Sequence, residues 1–250
     1  MTISKQIDTI MHESVIRLCE QLIRDLTNDI VGSVKGKPFR ETVIKKLKFS
    51  KPDDWNILCS LMDVLGDTEL AKENFVKFDL SGPTRILDYG EQYLRLYGIV
   101  NAIYLQRSAI LSLVELVKLK DKKKIVKKLD GLKLLEFRHI AGAHTTDFLD
   151  NGVINPHQIQ RGFGQDVKIR TRDSKGIFKD YDLKAMLNDY NAFARELMIQ
   201  AAEKFLGAVL PSTGRKQEQF TKRLMAIKAK SKGAFVFSVD ERADKNELID

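Results

Sequence analysis

From Thr84 to about Leu119, apolar residues recur every three or four positions, and the same pattern continues over residues 121–143. This spacing places apolar side chains on one broad face of a helix. The two segments are separated by a short polar turn, and two long helices joined in this way pack antiparallel. The sequence therefore predicts a mainly α fold, an up-and-down helical bundle.

The flanking segments extend this prediction. Helical spacing is also found over residues 3–31, about 40–47, 55–65 with a stop at Gly66, 67–80, 181–210 and, more weakly, 213–232. Two segments that alternate weakly, 157–161 and 166–171, predict a small β-hairpin at about 157–172. A turn over residues 172–176 precedes Phe178, and residues 234–239 suit a short strand.

This pattern divides the chain into three regions. Residues 1–80 form an N-terminal helical region, either extra helices or a small subdomain. Residues 81–211 form the bundle core, and residues 212–250 form a basic helix with an acidic tail. A length of 250 residues suits one large domain.

Composition narrows the class of protein. With 43% hydrophobic and 30% charged residues, the chain is expected to be globular and soluble. The first residues lack a continuous apolar stretch, and no run reaches the ~18 apolar residues of a membrane span, so a cytoplasmic protein without a membrane partner is expected. Cys19 and Cys59 both lie among apolar residues, which predicts two buried thiols. No spacing of metal ligands, phosphate loop or nucleophile elbow is present, so neither metal nor cofactor is expected.

The formal net charge is +8 and the pI about 9.3, which favours acidic partners and nucleic acid first. Seven lysines fall within the eleven residues 118–128, opposed only by Asp121. They predict a surface that tracks phosphates, or else a solvated helix start. The predicted RNA-contacting residues are Lys122, Lys123, Lys124, Lys127 and Lys128. A second basic cluster, within residues 215–232, is either an RNA-binding arm or a solvated terminal helix.

Residues 138–144 combine Arg138, His139 and His144, and thus hold two of the four histidines of the chain. A histidine exchanges protons near neutral pH because its unperturbed pKa is ~6.5. The guanidinium of an arginine binds phosphate through two parallel hydrogen bonds. In one straight helix Arg138 and His144 lie about 120° apart. They converge if the helix unwinds near Gly142, or if each pairs with a residue of a second chain.

A structural alternative exists for the same residues. In it, Arg138 caps the helix end and pairs with an acid such as Glu136 or Asp147, and both histidines lie on the surface. The preceding apolar segment also carries Gln106 and Arg107, which are either members of a buried hydrogen-bond network or an exposed pair.

The segment LLEFRHIAGAHTT, residues 134–146, resembles the arginine–histidine signature of the HEPN superfamily. In that family an arginine, usually followed by a polar residue, precedes a histidine by four to six intervening residues. Here His139 follows Arg138, and five residues separate Arg138 from His144. Residues 97–110, with Gln106, are similar to the long apolar helix that some members place before the motif. The resemblance covers roughly residues 84–210.

The resemblance implies an all-α bundle that forms a homodimer, in which two motifs face each other and build one composite site. Active members are metal-independent endoribonucleases, many of them toxins or effectors of defence against phage. For this chain it implies RNA as substrate, a homodimer through the motif helix, and an antitoxin or regulatory protein as a further partner.

The corresponding mechanism is attack of a 2′-hydroxyl on the adjacent phosphodiester. In it His144 takes or donates the proton, Arg138 stabilises the charge on phosphate, and His139 orients the phosphate or shares the acid–base role. Two alternatives stay open: a non-catalytic module of the same fold that binds RNA or a protein, and a purely helical scaffold.

Overall fold

The computed structural model describes residues 14–36, 38–84, 86–143, 149–160 and 167–233. Residues 3–13 of the first predicted helix, His144, and the predicted strand 234–239 with the acidic tail lie outside the described residues. The mainly α fold is confirmed. The helices of the described part are α1 Val15–Gly32, α2 Phe39–Lys46, α3 Asp54–Phe78, α4 Tyr89–Leu116, α5 Lys122–Asp130, α6 Lys133–Arg138, α7 Leu183–Val209 and α8 Arg215–Ser231.

Capping side chains set where the long helices begin. The Asp88 carboxylate accepts hydrogen bonds from the backbone N–H groups of Gly90 and Glu91, and α4 therefore starts five residues after the predicted Thr84. The Asp182 carboxylate accepts from the N–H of Ala185 and starts α7 in the same way. Each cap satisfies N–H groups that have no partner inside their own helix.

The predicted stop at Gly66 is wrong, because α3 runs without interruption from Asp54 to Phe78. Leu65 and Thr68, on either side of the glycine, are both buried. Packing of this face outweighs the cost of a glycine inside a helix, which is about 1 kcal/mol relative to alanine.

The predicted single helix over residues 121–143 is also wrong. It divides at Gly131, which ends α5, and Leu132 is extended before α6 begins at Lys133. After Arg138 the chain continues as a π-helix, His139–Ala143. The apolar pattern is unbroken here because Leu129, Leu134 and Leu135 are all buried in the same core.

The core lies between two groups of helices that share α3 and α7. On one side α1 packs against α3, α7 and α8, and on the other α4 packs along α3 and also against α6 and α7. Buried side chains from before and after residue 80 belong to one continuous apolar cluster, for example Leu22, Leu65, Ile103 and Leu197.

The small sheet carries one strand more than predicted. β1 Leu149–Asp150 and β2 Val153–Ile154 form a separate two-stranded ribbon. The other strands are β3 Gln158–Ile159, β4 Lys168–Arg172 and β5 Phe178–Asp182, antiparallel in the order β3-β4-β5.

β3 and β4 correspond to the predicted hairpin. The predicted turn over residues 172–176 is present, and β5, which follows it, includes the predicted start of the helix at Tyr181. β5 is a strand because Tyr181, paired with Ile169 of β4, is buried against Phe137 of α6, with 4.7 Å between the two ring centroids.

The second basic cluster forms α8, a helix docked on the bundle. Its apolar residues Phe220, Leu224 and Ile227 are buried. Three of its cations pair with acids of α1 and α7: Lys216 with Asp29, Arg223 with Asp25 and Lys228 with Glu203. These cations are therefore occupied within the protein, which favours a docked terminal helix over an RNA-binding arm.

The expectation of two buried thiols is wrong for one of the two cysteines. Cys19 is buried, but Cys59 is exposed on the outer side of α3. Among the described residues, α4 is long and apolar enough to cross a membrane by length and composition, although 50% of its most apolar stretch is buried within the bundle. The central helix of a bundle meets the same criterion.

Candidate functional site

The candidate site lies where α6 ends and the π-helix begins. Arg138 is the last residue of α6, and Gly142 lies in the π-helix against α4. A Cβ at position 142 would lie only 3.0 Å from Cγ2 of Val100. The helix thus changes form in the stretch where the sequence predicts an interruption, and a glycine permits the close approach to α4. π-Helical turns are frequent at functional sites.

Tyr104 of α4 is the centre of the site. The guanidinium carbon of Arg138 lies 4.0 Å from the centroid of the Tyr104 ring, and that of Arg107 lies 5.8 Å from it. The His139 ring meets Tyr104 edge-on, with 6.3 Å between centroids. Two arginines and a histidine therefore converge on one aromatic ring. Stacking uses the face of a guanidinium and leaves its N–H groups directed outward in its plane.

The hydrogen bonding of Arg138 differs from that of a helix cap. Its Nε is buried and has no hydrogen-bond partner among the described residues. Glu136, the acid expected to pair with it, instead binds the Lys179 ammonium of β5 at 2.9 Å. Asp147, the other expected acid, lies outside the described residues. A buried donor without a partner is unfavourable, and an anion bound here would supply the missing acceptor.

Arg107 connects this site to the lysine-rich helix. Its Nε donates to Oδ1 of Asp130, the last residue of α5, over 2.8 Å. The guanidinium is thereby held at the end of α5 and beside Tyr104. Sequence reasoning left Arg107 either in a network or exposed. In the structure it is partly buried and ion-paired.

The five predicted RNA-contacting lysines divide into two groups. Three have partners: Lys122 pairs with Glu115 at 2.6 Å, Lys124 with Asp121 at 3.4 Å, and the Lys128 ammonium lies 3.9 Å from the centroid of the Phe193 ring. Lys123 and Lys127 are exposed and have no partner in the described part of the chain.

These two lysines lie one helical turn apart, and Asp130 follows almost one turn later on the same side of α5. The two unpaired lysines therefore share the side of α5 that carries Asp130, the partner of Arg107. The structure brings the lysine helix and the arginine–histidine motif to neighbouring positions.

A buried polar network lies on α4 beneath the site. Gln106 is 0% exposed. Its amide donates to Oγ1 of Thr68 over 3.0 Å and to Oε1 of Glu69 over 2.7 Å, and its carbonyl accepts from Lys72 over 3.0 Å. Lys72 also donates to Oδ1 of Asn191 over 2.8 Å and pairs with Glu69. Burial lowers the pKa of the Lys72 ammonium, and the Glu69 carboxylate opposes this shift.

The network joins α3, α4 and α7, and its buried groups satisfy one another. It holds α4 in position below Tyr104 and is closed to solvent, so it is a structural element. Sequence reasoning missed Glu69 and Lys72. The signal that was present is Gln106, a polar side chain in an apolar helix, which requires buried partners.

The described residues include no group of three or more His, Cys, Asp or Glu side chains placed to hold a metal ion. The chemistry that the described site offers is recognition of an anion by two arginines and one histidine on an aromatic ring. Comparison of the chain with protein-family models, with curated proteins and with solved structures finds no match.

Proposed function

We propose that this chain is a HEPN-like, metal-independent endoribonuclease. The observation that carries the proposal is Arg138, stacked on Tyr104 at the π-helical end of α6, with a buried Nε that lacks a partner. A phosphate oxygen is a suitable acceptor for this donor, because arginine binds phosphate through charge-assisted hydrogen bonds.

The proposed reaction cleaves the RNA backbone without a metal. A base removes the proton of a 2′-hydroxyl, O2′ attacks the adjacent phosphorus, and the bond to the 5′-oxygen breaks as an acid protonates that oxygen. The products are a 2′,3′-cyclic phosphate and a 5′-hydroxyl. Arg138 stabilises the charge on phosphate and His139 orients it. His144, which lies outside the described residues, is proposed as the acid or base on the strength of the motif.

The lysine surface of α5 supports RNA as the substrate. Lys123 and Lys127 are exposed, lack partners in the described residues, and lie on the side of α5 that leads to Arg107. Lysines of this kind bind a phosphate backbone by releasing its counterions. The same lysine surface supports the second candidate, a non-catalytic RNA-binding module. The lysines lie outside the motif, so they could bind RNA without cleavage.

The outer face of α4 supports a homodimer next to the site. Leu94 is 70% exposed, Tyr97 40% and Leu105 54%, and the exposed positions of α4 from Leu94 to Ser112 carry no charge. A second copy of the chain would cover this stripe and bring two motifs together. A cytoplasmic role as a toxin or in phage defence, with an antitoxin or regulator, is proposed from the family resemblance.

The test is cleavage of labelled transfer RNA in the presence of EDTA. We expect the wild type to cleave and to leave 2′,3′-cyclic phosphate ends, and the Arg138→Ala/His144→Ala variant to lose at least about 100-fold in rate. Arg215→Ala, a change at an exposed arginine of α8, is the matched control and should cleave normally. Equal activity of the wild type and the double variant refutes the nuclease. RNA binding that survives in both without cleavage identifies the non-catalytic module.

A further inference from the structure

The β3-β4-β5 sheet has one face on the motif helix and one face exposed. On the inner face Tyr181 packs against Phe137, and Lys179 pairs with Glu136 of α6. Cross-strand pairing places Arg172 opposite Phe178, and both are exposed. The outer face therefore lies directly across the sheet from the candidate site.

An exposed aromatic ring with a cation beside it marks this outer face. Phe178 is 52% exposed, and the Arg172 guanidinium carbon lies 5.6 Å from its ring centroid. A large apolar ring that stays half in solvent offers a surface on which another ring can stack.

The adjoining turn holds this pair in place. The Asp173 carboxylate accepts from the N–H groups of Lys175 and Ile177 over 2.9 and 2.8 Å. These hydrogen bonds lower the pKa of Asp173. Gly176 has φ +80°, and a Cβ there would lie 3.3 Å from Nη2 of Arg172. The positive φ favours a glycine in this turn, and the guanidinium lies close beside it.

Three cations line the same face along β4. Lys168, Arg170 and Arg172 occupy alternate positions and are all exposed, which places successive cations ~7 Å apart along the strand. On the same face Arg170 donates two hydrogen bonds to the Asp180 carboxylate, and Asp182 lies opposite Lys168, so Arg172 is the one of these three cations without an acid opposite it in β5. β5 is an edge strand of the sheet.

We infer that the outer face of this sheet is a stacking platform for single-stranded RNA. Phe178 receives an unpaired base, Arg172 stacks beside it, and Lys168 and Arg170 contact the backbone. Aromatic rings on a basic surface bind single strands in this way, because every base has a face to stack and duplex bases do not expose theirs. The inference rests on the proposed function for RNA as the ligand, and the platform would bind the strand on the face of the sheet opposite α6.

The experiment uses the full chain and two fluorescently labelled probes, a 2′-O-methyl oligouridine and a 2′-O-methyl hairpin of equal length. These probes lack the attacking hydroxyl, so binding is measured without cleavage. Fluorescence anisotropy then gives Kd for wild type, Phe178→Leu, Phe178→Tyr and Arg172→Gln. Tyr89→Leu is the matched control, because Tyr89 is also an exposed aromatic, at 48%.

We expect Phe178→Leu to weaken oligouridine binding by about five- to 100-fold, since a stacked base is lost. Phe178→Tyr and Tyr89→Leu should stay within about twofold of wild type. Arg172→Gln should weaken oligouridine binding and reduce the slope of log K against log salt by about 1. Circular dichroism and thermal unfolding check that each variant is folded.

Three results overturn the platform: no oligouridine binding by the folded wild type, equal binding by wild type and Phe178→Leu, or an equal loss on the hairpin. The cleavage assay separates this inference from the proposed function. A wild type that does not cleave, but loses single-strand binding on Phe178→Leu, refutes the nuclease and supports the platform. A wild type that cleaves RNA, with single-strand binding unaffected by Phe178→Leu, supports the nuclease and refutes the platform.

Discussion

Arg138 and Lys72 show two ways in which this bundle accommodates a cation among apolar helices. Arg138 lies over an aromatic face, and its Nε has no partner in the described residues. Lys72 is 5% exposed, and its ammonium is surrounded by acceptors of Glu69, Gln106 and Asn191. The first arrangement leaves a buried donor unsatisfied. In the second arrangement the Lys72 ammonium has all its hydrogen-bond acceptors within the protein, so it contributes to stability.

Removal of the Lys72 charge tests this difference. We expect Lys72→Met to lower the free energy of unfolding by about 3–5 kcal/mol, because it leaves the buried Glu69 carboxylate unpaired. Urea unfolding followed by circular dichroism measures the change. Lys123→Met, at an exposed lysine, should stay within about 0.5 kcal/mol of wild type. A loss below about 1 kcal/mol for Lys72→Met contradicts the structural role of the network.

The two cysteines should react at different rates. Cys19 is 0% exposed, and burial raises the pKa of its thiol to about 12, whereas Cys59 is exposed. Because the thiolate is the reactive form, a thiol reagent at pH 8 should modify Cys59 rapidly and Cys19 only after unfolding. The Cys59→Ser variant should show no fast phase. Two fast thiols in the native protein would contradict the packing of α1.

At the scale of elements, the division of residues 121–143 into α5, α6 and a π-helix creates the site. The interruption at Gly131 turns α5 so that its terminal Asp130 reaches Arg107. The π-helix then brings Gly142 against Val100 of α4. A single straight helix would allow one of these contacts but would not direct both ends of the segment onto α4.

Two of the helical glycines, Gly142 and Gly66, should therefore respond to substitution in opposite directions. Gly142→Ala should lower the free energy of unfolding by about 1–3 kcal/mol, because its Cβ meets the Val100 side chain. Gly66→Ala, where nothing lies within 4 Å of the added carbon, should raise it by about 0.5–1 kcal/mol. Chemical denaturation measures both changes.

Val100→Ala should rescue part of the loss in Gly142→Ala, since it removes the side chain that the new Cβ meets. A double-mutant cycle detects this coupling. Additive effects of the two substitutions would show that the π-helix does not depend on the close approach to α4.

At the scale of the whole molecule, the net charge is +8, and some of the cations are paired with acids of the protein while others are not. Cations of α8 are paired with acids of α1 and α7, whereas Lys123 and Lys127 of α5 have no partners in the described part of the chain. Unpaired basic charge is therefore present on α5, the helix that precedes the motif. The uncharged outer face of α4 lies beside it.

The salt dependence of RNA binding should reveal this distribution. We expect Lys123→Gln/Lys127→Gln to reduce the slope of log K against log salt by about 1.4, the value for two lost contacts to a single strand. Anisotropy titrations across a range of salt concentrations measure the slope. The matched control, Lys216→Gln/Arg223→Gln, removes two paired cations of α8 and should leave the slope unchanged. Equal slopes for all three proteins would contradict the proposal that Lys123 and Lys127 of α5 contact RNA.

Self-association should depend on the outer face of α4. We expect the wild type to have the mass of a dimer by light scattering, and Leu94→Glu/Leu105→Glu to have the mass of a monomer and to lose cleavage, because a buried unpaired charge opposes the contact. Leu70→Glu/Val76→Glu places the same charges on exposed apolar positions of α3 and should retain the wild-type mass. A monomeric wild type would refute the homodimer.

The apolar spacing of the sequence was sufficient to predict the helical bundle, because helical periodicity is local and is read within a few turns. The sequence also places Arg138 shortly after the lysines of α5. Gln106 indicated a buried network, but its partners Glu69 and Lys72 are more than thirty positions away, and no local pattern connects them.

Packing over long distances decided the remaining features. Burial of both sides of Gly66 kept α3 continuous, and contact of Tyr181 with Phe137 made a strand of residues that resemble a helix start. The division of the motif segment, and the convergence of Arg107, Arg138 and His139 on Tyr104, depend on how α6 meets α4. Residue types and spacing set the local preferences of this chain. Where those preferences competed, the free energy of burying side chains from distant segments determined the outcome.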